Sequence, residues 1–104
     1  LIYLYCTFLG KKKAIVSATL RENVMTLLRT SKVRLEFDKI YCGGRLEKEK
    51  NKPNAFMHIC AMDYFNTSNE KTLILEDSNT GFLAAKNANV DCFDVNSLCF
   101  YYNA

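Results

Sequence analysis

Glu76 and Asp77 stand side by side at the end of the apolar run Leu73-Ile74-Leu75, and Ser78, Asn79, Thr80 and Gly81 follow. An apolar run that ends in acids and passes into a Gly/Ala-rich segment of helical spacing predicts a strand, its tip and a helix. In open α/β sheets ligands bind outside the carboxyl ends of the strands. Two carboxylates placed there can hold Mg²⁺, a hard cation that takes oxygen ligands and uses only one or two protein carboxylates. The same residues also suit a humbler task, since Asp77 and Ser78 could cap the next helix. Ser17 closes a second apolar run, Ala14-Ile15-Val16. Its hydroxyl and the amides after it could cradle an anion, or it could cap a helix starting near Arg21. Lys52 precedes Pro53 at a third junction. It can reach a phosphate as a point charge, and a lysine in a charged loop is equally at home in water.

These residues need elements to position them. Leu1 to Leu9 reads as the end of a helix stopped by Gly10, although its composition would also suit a strand. Lys13 to Ser17 and Phe37 to Cys42 read as strands, the second closed by Gly43-Gly44. Between them Arg21 to Arg29 has helical spacing, with Val24, Leu27 and Leu28 as its apolar stripe and Thr19 available as its cap. Arg45 to Asn51 is polar and predicts a loop. Pro53 suits the first turn of a helix running to Tyr64. Thr72 to Leu75 is a third strand, Thr80 to Asn89 a helix and Val90 to Val95 a fourth strand, and the aromatic tail Phe100-Tyr101-Tyr102 is expected to pack on the sheet. Strands alternating with helices predict a parallel α/β sheet with right-handed crossovers.

At 104 residues the chain is read as a single domain, residues 1–104. Its net charge of +3 is gathered mainly in Lys11-Lys12-Lys13 and in the segment from Lys48 to Lys52, and it comes without aromatic-plus-basic interleaving. Nucleic acid is therefore not expected as a partner. The opening apolar run is too short to span a bilayer and carries no cleavage signal, so no membrane association is expected. Five cysteines without a C-x-x-C pair predict reduced thiols in a cytoplasmic protein. His58 is the only histidine, and its spacing from Cys60 is poor for zinc. The first residue is Leu, not Met, which suggests an excerpted or processed chain.

The order and spacing of the three polar junctions resemble the haloacid dehalogenase (HAD) superfamily of aspartate-nucleophile phosphohydrolases. The nearest subgroup is the phosphatases and phosphomutases similar to β-phosphoglucomutase. Ala14-Ile15-Val16-Ser17-Ala18-Thr19 looks like the family's second motif, Asn51-Lys52-Pro53 like its third, and Leu75-Glu76-Asp77-Ser78 with Gly81 like its fourth. The resemblance implies a Rossmann-like three-layer α/β/α core acting on a small phosphorylated metabolite. By it, Ser17 and the Ala18 amide would hold the transferring phosphoryl group and Lys52 would neutralise charge. Glu76 and Asp77 would anchor Mg²⁺, with Ser78 in support.

The family's first motif, an Asp-x-Asp on the opening strand, has no counterpart: Asp38, Asp63, Asp77, Asp91 and Asp94 include no pair two apart. Its strand would be the central one, so the core is expected to be incomplete, as two half-sheets with open edges. The helical cap that selects substrate in this subgroup is missing as well. The chain is thus expected to be the C-terminal part of an enzyme, inactive alone and completed by an N-terminal segment or by self-association. The alternative is a non-catalytic binding or regulatory domain that assembles with another chain.

Overall fold

The computed structural model describes residues 2–32 and 34–101. Helix α1 spans Ile2–Phe8, and Gly10, at φ +70°, ends it in the left-handed region that costs glycine little. Leu1, the first residue of the run read as the end of a helix, lies outside the described residues. Strand β1 (Ala14–Ser17) leads to α2 (Arg21–Thr30), and β2 (Lys39–Cys42) leads through a polar loop to α3 (Phe56–Tyr64). Then follow β3 (Leu73–Glu76), α4 (Asn79–Asn87), β4 (Asp91–Asp94) and β5 (Cys99–Tyr101).

The expected open edges are present. Among the described residues β1 pairs in parallel only with β2, while β3, β4 and β5 form a separate sheet in that order. The protein is a mixed α/β domain with parallel strands, small and incomplete. Helix α3 spans the division: it packs against β1 and β2, while its Met62 rests on the apolar cluster of the other half. That cluster is Ala55, Ile74, Ala85, Ala88, Val90 and Cys92. Helix α4 supplies Ala84 and Ala85, both fully buried, so small side chains let it lie close on β3 and β4.

Both helices that return from the sheet end in asparagines at positive φ, Asn66 at 52° and Asn89 at 58°. Thr67 N–H bonds Met62 O and Val90 N–H bonds Ala85 O, the closing pattern of a left-handed helix stop.

Four expectations are corrected. The aromatic tail does not lie on a sheet face: Cys99–Tyr101 is a strand, antiparallel to β4, because Asp94 gathers the Asn96 and Ser97 amides and folds the chain back. Tyr102 of that tail lies outside the described residues. Helix α3 starts at Phe56, not at Pro53, and Asn54 Oδ1 takes the Phe56 N–H at its start. Of the α2 stripe only Val24 is buried, and Leu27 is 70% exposed. Leu20 is the α2 N-cap without a side-chain bond, and the Thr19 hydroxyl instead accepts from Asn23.

Candidate functional site

Three loops, those that follow β1, β2 and β3, meet at the carboxyl ends of these strands. The first begins at Ser17, whose carbonyl accepts from Gly43 N–H at 2.8 Å and so faces β2. Successive residues of a strand point their backbone groups to opposite sides, so the Val16 carbonyl faces the gap between the half-sheets. Lys52 fills that position. Its ammonium donates to Val16 O at 2.8 Å and to Glu76 Oε2 at 2.7 Å. One side chain therefore ties the end of β1 to the end of β3. The pair is nearly enclosed, with 7% of the Lys52 and 10% of the Glu76 side chain exposed.

The loop that carries Lys52 is held from its other flank. Asn51 donates through Nδ2 to Ala18 O at 3.1 Å and accepts the Lys52 N–H through Oδ1 at 2.8 Å. Gly43 makes this approach possible, since a Cβ there would strike the Asn51 amide. The sequence signal for this role is an amide side chain directly before Lys52-Pro53.

Glu76 is held with equal care. Oε1 accepts the Asp77 N–H at 3.1 Å, and the Ser78 hydroxyl stands at 3.5 Å. A Cβ on Gly81 would collide with the Glu76 carboxylate, so the glycine in α4 makes room for the acid below it. Burial works to raise the Glu76 pKa, but the bonds from Lys52 and the Asp77 amide outweigh it and the net shift is downward. Glu76 is thus a carboxylate at neutral pH, matched to Lys52.

The site residues proposed from sequence are brought to one end of the fold, with distinct tasks. The Ser17 hydroxyl accepts the Thr19 N–H at 3.2 Å and does not cap α2. Ser78 does cap α4, accepting the Gly81 N–H at 3.1 Å. Asp77 is exposed; its carbonyl takes a bond from Asn96 Nδ2 and its N–H donates to Glu76 Oε1, and its side chain also helps hold the Glu76 pKa down. An open cavity of about 600 Å³, lined by Lys48, Asn51, Pro53 and Asn87 among others, lies beside this loop and does not include Lys52 or Glu76.

His58, dismissed from sequence as a zinc ligand, lies on the first turn of α3 and is 6% exposed. Its Nε2 is buried without a hydrogen-bond partner. Burial, with the Lys52 charge adding and Glu76 opposing, brings its pKa down to about 4. The imidazole is therefore neutral beside the ion pair.

A Mg²⁺ ion prefers octahedral oxygen ligands and keeps several waters. Among the described residues no three of His, Cys, Asp and Glu converge to hold a metal. Asp77 offers one open carboxylate, while both Glu76 oxygens already accept hydrogen bonds. Asp77 and Glu76 are not by themselves a full ligand set for such an ion.

In a parallel α/β fold, ligands bind at the carboxyl ends of the strands, where this chain gathers its lysine and its acids. The family model for haloacid dehalogenase-like hydrolases matches residues 7–95, most of the chain. The protein belongs to that family. A crystal structure described as a haloacid dehalogenase-like hydrolase from Bacteroides fragilis superimposes with a TM-score of 0.77 at 23% identity, over 88% of this chain and 43% of that one. A HAD-superfamily hydrolase of subfamily IA from Geobacter sulfurreducens PCA gives 0.70 at 18% identity, over 82% and 42%. At these identities the likeness is one of fold. The chain spans less than half the length of either structure. No curated protein matches it.

Proposed function

We infer that this chain is the phosphate-holding part of a HAD-like phosphohydrolase or phosphomutase acting on a small phosphorylated metabolite. The observation that carries this reading is the Lys52 ammonium, which uses two of its three donors on Val16 O and Glu76 Oε2 at the strand ends. Its remaining donor can face an anion. Phosphoryl transfer asks a protein mainly to position the group and stabilise its charge. Ser17 and the Ala18 amide would receive the phosphoryl oxygens, and Lys52 would offset their charge. Glu76 keeps Lys52 aimed into the gap and Asn51 fixes its loop. Asp77, the exposed acid, would supply one ligand to Mg²⁺, with Glu76 beside it and Ser78 shaping the turn. The metal would supply charge neutralisation on the phosphoryl oxygens.

An aspartyl nucleophile must come from residues beyond these, because the sequence contains no Asp-x-Asp. The gap between β1 and β3 is the place for it: an extended segment there would pair with both open edges and end beside Lys52. These 104 residues alone should be inactive. The missing acid pair also favours a second reading, a non-catalytic HAD-like binding domain that assembles with another chain.

Hydrolysis of p-nitrophenyl phosphate with Mg²⁺ separates the readings. It is measured for these residues alone and behind a segment that carries an Asp-x-Asp strand. Silence in the first and turnover in the second are expected. Silence in both supports the binding domain, and turnover by the chain alone removes the need for a supplied nucleophile.

A further inference from the structure

The His58 imidazole is 6% exposed, and its Nε2 is buried without a hydrogen-bond partner among the described residues. A buried polar atom left unpaired costs free energy, and folded proteins leave few of them. The phosphate-holding arrangement makes no use of this one.

Its place in the fold points to what it serves. Ala55, His58 and Met62 follow one another at spacings of three and four, so they form one stripe along α3. The two ends of the stripe, Ala55 and Met62, pack on the apolar cluster of β3, α4 and β4. The same helix packs on β1 and β2. Helix α3 therefore lies across both half-sheets, and His58, in the middle of the stripe, faces the line along which they part. Lys52 and Glu76 bridge that line, and the charges of both reach the imidazole. An extended segment that entered between β1 and β3 would run beneath α3 and turn alternate side chains towards it.

We propose that His58 is a positioning residue: its Nε2 pairs with a hydroxyl or amide side chain that the segment completing the sheet turns towards α3, and so sets the register of that segment. The inference rests on the reading of the gap as the place of a strand and adds what that strand must carry. Hydroxyl and amide groups both donate and accept, so they suit either tautomer of the neutral imidazole. Register matters because a slip of one residue turns every side chain of a strand to the other face. An acid at the end of a slipped segment would no longer stand beside Lys52.

The experiment compares wild type, His58→Phe and His58→Gln, each as these residues alone and behind the segment that carries an Asp-x-Asp strand. Phenylalanine keeps a flat ring without a polar atom, and glutamine returns a polar group near the place of Nε2. In urea unfolding, His58→Phe is expected to lower the folding equilibrium constant of the completed protein about fivefold, and His58→Gln to recover most of that loss. In the chain alone His58→Phe should be no less stable than wild type. The Nε2 ¹⁵N resonance should move from the value of an unbonded ring nitrogen in the chain alone to that of a bonded one in the completed protein. A completed His58→Phe protein as stable as its wild type, or an Nε2 that stays unbonded there, would overturn the inference. Turnover of p-nitrophenyl phosphate by the completed wild type reports separately on the phosphohydrolase reading, so the two can fail apart.

Discussion

Lys52 and Glu76 meet at 2.7 Å between two half-sheets that share no strand ladder among the described residues. Their ion pair is enclosed, and its value to the fold differs from that of the exposed pairs Arg45–Glu22 and Arg34–Glu36. Exposed pairs contribute little. Removing one member of a buried pair leaves a charge without compensation and costs about 3–5 kcal/mol.

Lys52→Met should therefore destabilise the chain strongly, by an amount comparable to the whole stability of a small domain. The double variant Lys52→Met/Glu76→Leu removes both charges and should regain most of the loss. Urea titration followed by circular dichroism checks this; a double variant no more stable than the single one would show that the pair is not the cause.

Gly81→Ala isolates the space that Glu76 needs. In the wild type the added methyl meets the Glu76 carboxylate and should cost about 1–3 kcal/mol. In a Glu76→Ala background the obstacle is gone, and alanine should gain about 0.5–1 kcal/mol over glycine in a helix. A change of sign between the two backgrounds, read from thermal melts, is the expected result.

His58 sets the acid limit of stability. Its pKa is about 4 in the fold against the usual 6.5, so the unfolded chain takes up the proton first as pH falls. Stability due to its neutral form is full above about pH 6.5 and is lost on the way down to about 4, at up to ~1.4 kcal/mol per pH unit. Glu76, whose pKa is also lowered, adds a loss in the same direction below its usual 4.5. His58→Phe should flatten the profile between pH 6.5 and 4. It should also relieve the unpartnered Nε2, a gain of about 1 kcal/mol at neutral pH. Urea midpoints across that range test both effects, and an unchanged slope would exclude His58 as the source.

Asp77→Asn separates metal chemistry from folding. The side chain is exposed, so the stability should stay within the range of ordinary surface changes, about ±0.5 kcal/mol. Mg²⁺-dependent turnover of the completed protein should be abolished. Full turnover in that variant would remove Asp77 from the metal site.

Much of this was legible from the residues. Apolar runs that end in Ser17, in Glu76-Asp77 and in Gly43-Gly44 mark strand tips because buried strands need apolar side chains and their ends need polar or permissive ones. Hence the strand–helix rhythm could be read without coordinates, while the two open half-sheets followed only from the family resemblance, in which the absent first-motif strand is the central one. The tail could not: β5 depends on Asp94 turning the chain, and a carboxylate in a strand carries no local sign of what it will accept. The exposure of Leu27 was equally hidden, since helical spacing shows that a stripe exists and not that anything covers it. His58 was weighed only as a metal ligand. Its meaning comes from burial beside Lys52 and Glu76, residues 6 and 18 positions away, and such proximity belongs to tertiary packing.

The most direct test of the phosphate-holding role is the ¹⁵N resonance of the Lys52 ammonium, followed with the amides of Ser17, Ala18 and Thr19 while inorganic phosphate is added. The account predicts that these signals move together along one saturable isotherm and that the Asp77→Asn variant retains it. Movement confined to Lys11, Lys12 and Lys13, with Lys52 unaffected, would mean that phosphate meets only a charged surface and that the strand-end site does not bind it.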